Sequence, residues 1–136
     1  NIIKKTQLSI KVNSTSDSTI NSYPGAFSQI ITNLVLNSIK HAYKEKEEGA
    51  ITIEITKALN YLKVIYKDNG RGISQENLPK IFELFFTTNR ENGGTGLGLN
   101  IIYNIVTNNL NGSLVCESKE DYGTSFIILI PHTTVN

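Results

Sequence analysis

The chain contains no methionine and no tryptophan, and only one cysteine. A lone cysteine, Cys116, excludes an internal disulfide. Its place in an apolar, strand-like run marks it as a small core residue. Histidine is nearly as scarce, with two residues. His41 and His132 have no neighbouring carboxylate to partner them as a base, and no Cys/His spacing resembles a zinc site. Both read as non-catalytic, with His41 as a candidate pocket wall. No apolar run approaches the roughly 20 residues of a membrane span, and no signal-peptide pattern opens the chain. An excess of one charge is missing too: 13 Lys plus Arg stand against 12 Asp plus Glu. That balance leaves neither a basic stripe for nucleic acid nor an acidic tail. The absence of methionine and the initial Asn1 lead to the expectation of a piece of a longer protein. Its 136 residues suffice for one domain, 1–136, with a core of its own.

What is present is strongly patterned. Leu8 to Val12 alternates apolar and polar, which predicts a strand with one buried face. Asn13 to Asn21 is a Ser/Thr/Asn/Asp loop, and Tyr23-Pro24-Gly25 turns into a helix. That helix runs from Phe27 to Tyr43, with Phe27, Ile30, Ile31, Leu34, Val35, Ser38 and Ile39 on one face. The charged run 44–48 and Gly49 are expected to end it. Strands follow at 50–56 and 61–66, joined by a turn near Leu59-Asn60. Ser74 reads as the N-cap of a short helix limited by Pro79. Ile81 to Phe86 is a dense aromatic patch. Residues 87–98 form a long glycine-rich loop of the kind that is usually functional in a compact domain. A helix over 97–110, a turn at Asn111-Gly112 and strands at 113–118 and 126–130 complete the pattern. It suggests helices layered on one face of a mostly antiparallel sheet.

Three features carry chemistry. Asn33, Asn37 and Lys40 recur at i, i+4 and i+7 as a polar stripe beside the core stripe of the first helix. Asn is a mediocre helix former, so two in mid-helix break a local rule, either as a solvated face or as a site. Asp68-Asn-Gly-Arg-Gly72 follows a strand directly. It reads as a hairpin turn, although no returning strand follows, or as a carboxylate that meets a ligand amine such as that of adenine. Gly94-Thr-Gly-Leu-Gly-Leu99 opens a helix, whose free N–H groups and dipole attract phosphate; a plain linker is the other reading. A dinucleotide fold would need Gly-x-Gly-x-x-Gly, and the third glycine would fall at Leu99 or Ile101. No P-loop pattern occurs either.

Taken in order, the Asn-x-x-x-Asn helix, Asp-x-Gly-x-Gly, the Phe-rich patch, Gly-x-Gly-x-Gly and Gly123-Thr-Ser-Phe126 resemble the catalytic and ATP-binding domain of bacterial sensor histidine kinases, over about Leu8 to Pro131. The resemblance implies the Bergerat fold, also found in DNA gyrase, mismatch-repair ATPases and the large heat-shock chaperone. This is an α+β two-layer sandwich, a mixed, mostly antiparallel sheet of about five strands with three helices on one face. It implies ATP and Mg2+ as ligands. Asn37 would ligate magnesium through its amide oxygen, while Asn33 and Lys40 face the phosphates. Asp68 would bind the adenine amine. Gly72 and Ile73 would admit and cover the ring, with Thr124 close by. Thr87, Thr88, Arg90, Gly94, Thr95, Gly96, Leu97 and Gly98 would belong to a lid over about 87–98 that closes on the phosphates, and Leu99, just after it, would also border the nucleotide. The chain departs from many relatives at Leu84, where Pro is common, at Asn89, where Lys is common, and at His41, where Tyr is common.

Gyrase-like relatives have a Glu one turn before the magnesium Asn, where it activates water. Here Asn33 stands there, and a neutral amide is no general base. The expected reaction is therefore transfer of the γ-phosphoryl group to a histidine on a separate dimerisation domain of the parent chain, with a response regulator downstream. No residue of the chain itself is expected to be a covalent or acid–base catalyst. The alternatives are an ATP-hydrolysing clamp, a serine kinase of the anti-sigma type and a non-enzymatic nucleotide sensor. The implied setting is cytoplasmic, in a parent that can be anchored in the inner membrane, with no contact to membrane or nucleic acid by this segment.

Overall fold

In the computed structural model, residues 7–14, 24–43, 48–86 and 98–131 are described. Five strands make one sheet: β1 (Gln7–Ser14), β2 (Glu48–Lys57), β3 (Tyr61–Asp68), β4 (Ser113–Lys119) and β5 (Gly123–Pro131). Their order across the sheet is β1-β2-β3-β5-β4. β1 is parallel to β2 and the other neighbouring pairs are antiparallel. A parallel pair needs a crossover, and helix α1 (Pro24–Asn37) lies in that connection. α1 continues as a wider π turn over Ser38–Ala42. Helix α2 (Gly98–Asn104) likewise widens into a π turn over Ile105–Asn109, closed by the Leu110 N–H on the Ile105 carbonyl at 3.0 Å.

Alternation decides which face is covered. Ile51, Ile53 and Ile55 of β2, Leu62, Val64 and Tyr66 of β3, and Phe126, Ile128 and Ile130 of β5 are all buried. Register sets Ile53 beside Tyr66, and Tyr66 beside Phe126. Ile30 and Leu34 of α1, Ile102 of α2, and Val106 from the turn that extends α2, complete the same cluster. Each such side chain contributes about 1.5–3 kcal/mol when it leaves water. The opposite face keeps Glu54, Lys67 and Val115 in solvent. This is the expected two-layer α+β sandwich.

Three expectations need correction. The described residues hold two helices, not three. Ser74 does cap a turn, its Oγ accepting the Asn77 N–H at 3.2 Å. Yet the segment forms only a 3-10 turn at Leu78–Lys80, because Pro79 has no N–H with which to continue a helix. The first helix does not run into the charged segment. Ala42 ends it because the Arg71 N–H takes the Ala42 carbonyl at 2.9 Å, and Tyr43 turns extended. Glu48 and Gly49 belong to β2. Finally, β1 buries less than its pattern predicts. Leu8 packs against the core, but Ile10 and Val12 are about half exposed on an edge strand beyond the reach of the helices.

Candidate functional site

Sheet register gathers the polar residues of one end. Asp68, the last residue of β3, lies beside Thr124 of β5, which lies beside Ser118 of β4. All three share the face that the helices cover. Asp68 and Thr124 are 8% and 6% exposed, unusually deep for a carboxylate and a hydroxyl. The Asp68 carboxyl is held from three sides. Its Oδ1 accepts the Gly70 N–H at 3.0 Å and the Thr124 N–H at 3.3 Å. Its Oδ2 meets the Ser38 Oγ, the donor toward an ionised carboxylate, at 3.0 Å. Burial pushes this carboxyl above the ordinary carboxylate range, opposed by the three hydrogen bonds.

The loop after β3 is stitched to both of its neighbours. Besides the Arg71 N–H on Ala42, the Arg71 carbonyl accepts the Asp121 N–H at 2.8 Å. The Ile73 N–H donates to Ser118 Oγ at 2.8 Å, and that oxygen also lies 2.8 Å from Thr124 Oγ1. Gly70 has no room for a side chain, since a Cβ there would enter Ala42. Gly72 has φ 74°, and a Cβ on it would strike the Lys119 carbonyl. Tyr43 secures the other side: its Oη donates to Asn69 Oδ1 at 2.9 Å, and Asn69 Oδ1 accepts the Ala50 N–H at 2.8 Å. The Asp68–Gly72 segment is therefore not a hairpin turn. It is a rigid bridge between the end of α1 and the β4–β5 turn.

The polar stripe of α1 runs toward this bridge. Asn33, Asn37 and His41 are partly exposed and Lys40 is exposed. Asn37 is the last residue of α1 proper, next to Ser38, whose side chain turns inward to Asp68. His41 is held below the ordinary imidazole range by burial, then by Arg71 and Lys40, so it is neutral at physiological pH. Among the described residues, no three His, Cys, Asp or Glu side chains converge as a metal cage. A single amide oxygen such as that of Asn37 fits a cation that keeps water and phosphate oxygens as its other ligands, as Mg2+ does.

Asp68, Gly72, Ile73 and Thr124 thus come together, with Asn33, Asn37, Lys40 and His41 on the adjoining helix. Gly98 and Leu99 open α2, where Leu99 packs against the core. Thr87, Thr88, Arg90, Gly94, Thr95, Gly96 and Leu97 lie outside the described residues, as does His132. In the aromatic patch, Phe82 stacks on Tyr103 with ring centres 5.3 Å apart, and Asn100 Nδ2 donates to the Phe82 carbonyl at 3.0 Å. Leu84 and Phe85 are exposed, and Phe85 takes φ 67°. Four residues of the site escaped the sequence reading: Ser38, Tyr66, Ser118 and Arg71. Ser38 sat on the apolar stripe of its helix, and that misfit was the available signal.

The family model described as histidine kinase-, DNA gyrase B- and HSP90-like ATPase matches residues 23–134. The chain is 33% identical over 108 residues to the sensor histidine kinase ZraS of Escherichia coli K12, a match that covers 79% of the chain and 22% of ZraS. It is 35% identical over 136 residues to the autoinducer 2 sensor kinase/phosphatase LuxQ of Vibrio cholerae, covering 94% of the chain and 15% of LuxQ. The chain therefore spans about a fifth or less of these relatives. Among solved structures, the catalytic domain of histidine kinase ThkA superposes with TM-score 0.70 at 30% identity, over 91% of this chain and 78% of that one.

Proposed function

The chain belongs to the histidine kinase-, DNA gyrase B- and HSP90-like ATPase family, as a domain of the sensor histidine kinase type, and on that premise we propose that it binds ATP with magnesium and donates the γ-phosphoryl group to a histidine outside this segment. The observation that carries the reading is Asp68. A buried carboxyl at a strand end, fixed by Gly70, Thr124 and Ser38, is an acceptor aimed where a purine amine can reach it. Gly72 and Ile73 follow at once, so backbone rather than side chain borders the base. The adjoining stripe of α1 supplies the phosphate end. Asn37 would hold magnesium, and Asn33 and Lys40 would bind phosphate oxygens.

Magnesium, when bound, neutralises charge on the phosphates and fixes their orientation. The side chains of the chain supply positioning and no general base. Asn33 stands where hydrolysis would need a carboxylate, and an amide cannot take a proton from water. An acceptor imidazole brings its own basicity, so transfer to histidine is favoured over transfer to water. The acceptor domain, the response regulator and the cytoplasmic setting belong to the same proposal. Among the described residues no helix is long and apolar enough to cross a membrane.

Calorimetry with ATP, with and without magnesium, tests the binding. The expected result is magnesium-dependent affinity that Asn37→Ala reduces at least about tenfold, and an ATP-over-GTP preference that Asp68→Asn removes. Unchanged preference in Asp68→Asn would contradict the role of Asp68. Radiolabelled ATP should label the histidine-bearing domain of the parent when the two are mixed, and should leave this chain unlabelled. Steady phosphate release by the chain alone, abolished by Asn37→Ala, would indicate a clamp instead. Asn33→Glu should raise phosphate release above the parent level, since it supplies the missing carboxylate.

A further inference from the structure

Behind Asp68 runs a row of buried oxygens that phosphate and magnesium do not need. Ser38 Oγ lies 3.0 Å from Asp68 Oδ2 and 2.7 Å from Tyr66 Oη. Tyr66 Oη in turn lies 3.1 Å from the Leu34 carbonyl oxygen. Ser38 is 1% exposed, and Tyr66 and Leu34 are fully buried. At that depth a polar contact has to be filled by a proton from the row itself.

Four oxygens in line make three contacts, and lone pairs that face each other at these distances repel. The two hydroxyls supply one proton each. The Leu34 carbonyl supplies none, and neither does a carboxylate. All three contacts are filled only when Asp68 is the neutral acid. Oδ2–H then donates to Ser38, Ser38 donates to Tyr66, and Tyr66 donates to Leu34. Oδ1 keeps its lone pairs for the N–H groups of Gly70 and Thr124. In the ionised form the row reverses. Ser38 donates to Oδ2, Tyr66 donates to Ser38, and the Leu34 carbonyl loses its side-chain donor. Only this second form leaves Oδ2 with a strong lone pair for an incoming amine, because Oδ1 already accepts two N–H groups.

We propose that Ser38 and Tyr66 are positioning residues that hold Asp68 as a neutral acid and deliver it to the adenine amine as a carboxylate, so that seating the base releases one proton and reverses the row. The proton passes to the buffer and no covalent bond changes elsewhere. This rests on the nucleotide reading above. The surroundings support it. Burial raises Asp68, and its hydrogen-bond partners are all neutral donors. The titratable groups that sense its charge are Tyr66 on β3 and Cys116 on β4. Burial raises both, so they stay neutral. From the π turn that extends α1 the Ser38 hydroxyl faces it, and from β5 the Thr124 amide. The cations Lys40 and Arg71 bear on His41.

The test follows the side-chain carboxyl carbon of Asp68 by NMR through a pH titration of the whole chain, assigned with Asp68→Asn. Asp68 should titrate above the ordinary carboxylate range in the protein alone, and should stay ionised with ATP·Mg bound. ATP affinity should fall about tenfold for each pH unit below the free midpoint. Tyr66→Phe leaves the Ser38 proton only Asp68 as acceptor, so it should lower that midpoint. In a Ser38→Ala background the same substitution should do nothing. An ordinary or depressed midpoint in the parent chain overturns the proposal, as does an equal effect of Tyr66→Phe in both backgrounds. If ATP·Mg binds below the midpoint without proton release, the coupling falls and the nucleotide site stands. If no adenine nucleotide binds, both fall.

Discussion

At the scale of single residues, Asp68 has an opposite effect on stability from most aspartates. Its carboxyl is raised in the folded chain, so its contribution to stability is present in acid, below the ordinary carboxylate value. That contribution is lost as pH rises through the raised value. Asp68→Asn places an amide N–H where the acid proton would donate to Ser38 and keeps an oxygen for Gly70. The variant should match the parent in acid and exceed it in stability at neutral pH, as read from urea midpoints at the two pH values; lower stability at neutral pH would count against the reading. Cys116 is a half-buried thiol packed against the core. Burial first, then the carboxylates of Asp68, when ionised, and Glu117, push its thiol up to about 12. Alkylation of Cys116 at a pH below 9 should be slower in the folded chain than in urea, since only the thiolate reacts.

At the scale of elements, the two glycines of the bridge matter more than their exposure suggests. Gly72→Ala places a Cβ against the Lys119 carbonyl at a positive φ. It should destabilise the chain by about 1 kcal/mol or more in chemical denaturation. Ile102→Ala, in the centre of α2 packing, should cost about 2–5 kcal/mol, whereas Val115→Ala on the open sheet face should stay within about 0.5 kcal/mol. The existence of these elements was legible in the chain. Helical spacing gave α1, and alternation gave β2, β3, β4 and β5 to within a few residues. The end of α1 was not legible, because the Ala42 carbonyl is taken by Arg71, a partner far along the chain. The short third helix failed because a capping serine and a proline pull in opposite directions, and the missing N–H of Pro79 prevailed. Of the candidate site, the gathering of Asp68, Gly72, Ile73 and Thr124 at one end of the sheet was readable from motif order. The Ser38–Tyr66–Leu34 row was not, because a hydroxyl on an apolar stripe has no meaning until the sheet brings Tyr66 and Asp68 under it.

At the scale of the whole molecule, the sheet order gathers the candidate site from residues that the sequence keeps apart. β5 lies between β3 and β4, so Thr124 arrives beside Asp68, and Ser118 beside Thr124, although about fifty residues separate both from Asp68 in sequence. Ligand binding on such a frame should be visible as global stability. ATP·Mg at a hundred times its Kd should add about 2.7 kcal/mol to the unfolding free energy, and chelating the magnesium should remove most of that gain in a thermal scan. A shift unaffected by chelation would disfavour Asn37 as the metal ligand.

The bridge after β3 has a further consequence, for exchange with solvent. The Arg71 amide is bonded to the Ala42 carbonyl and the Asp121 amide to the Arg71 carbonyl, so one displacement of the loop from its two neighbours breaks both bonds together. The loop has to part from the helix end for the Arg71 amide, and from the β4–β5 turn for the Asp121 amide, to meet deuterium. A segment that looks like a surface loop should therefore exchange on the slow timescale of the sheet, with Arg71 and Asp121 following one common opening.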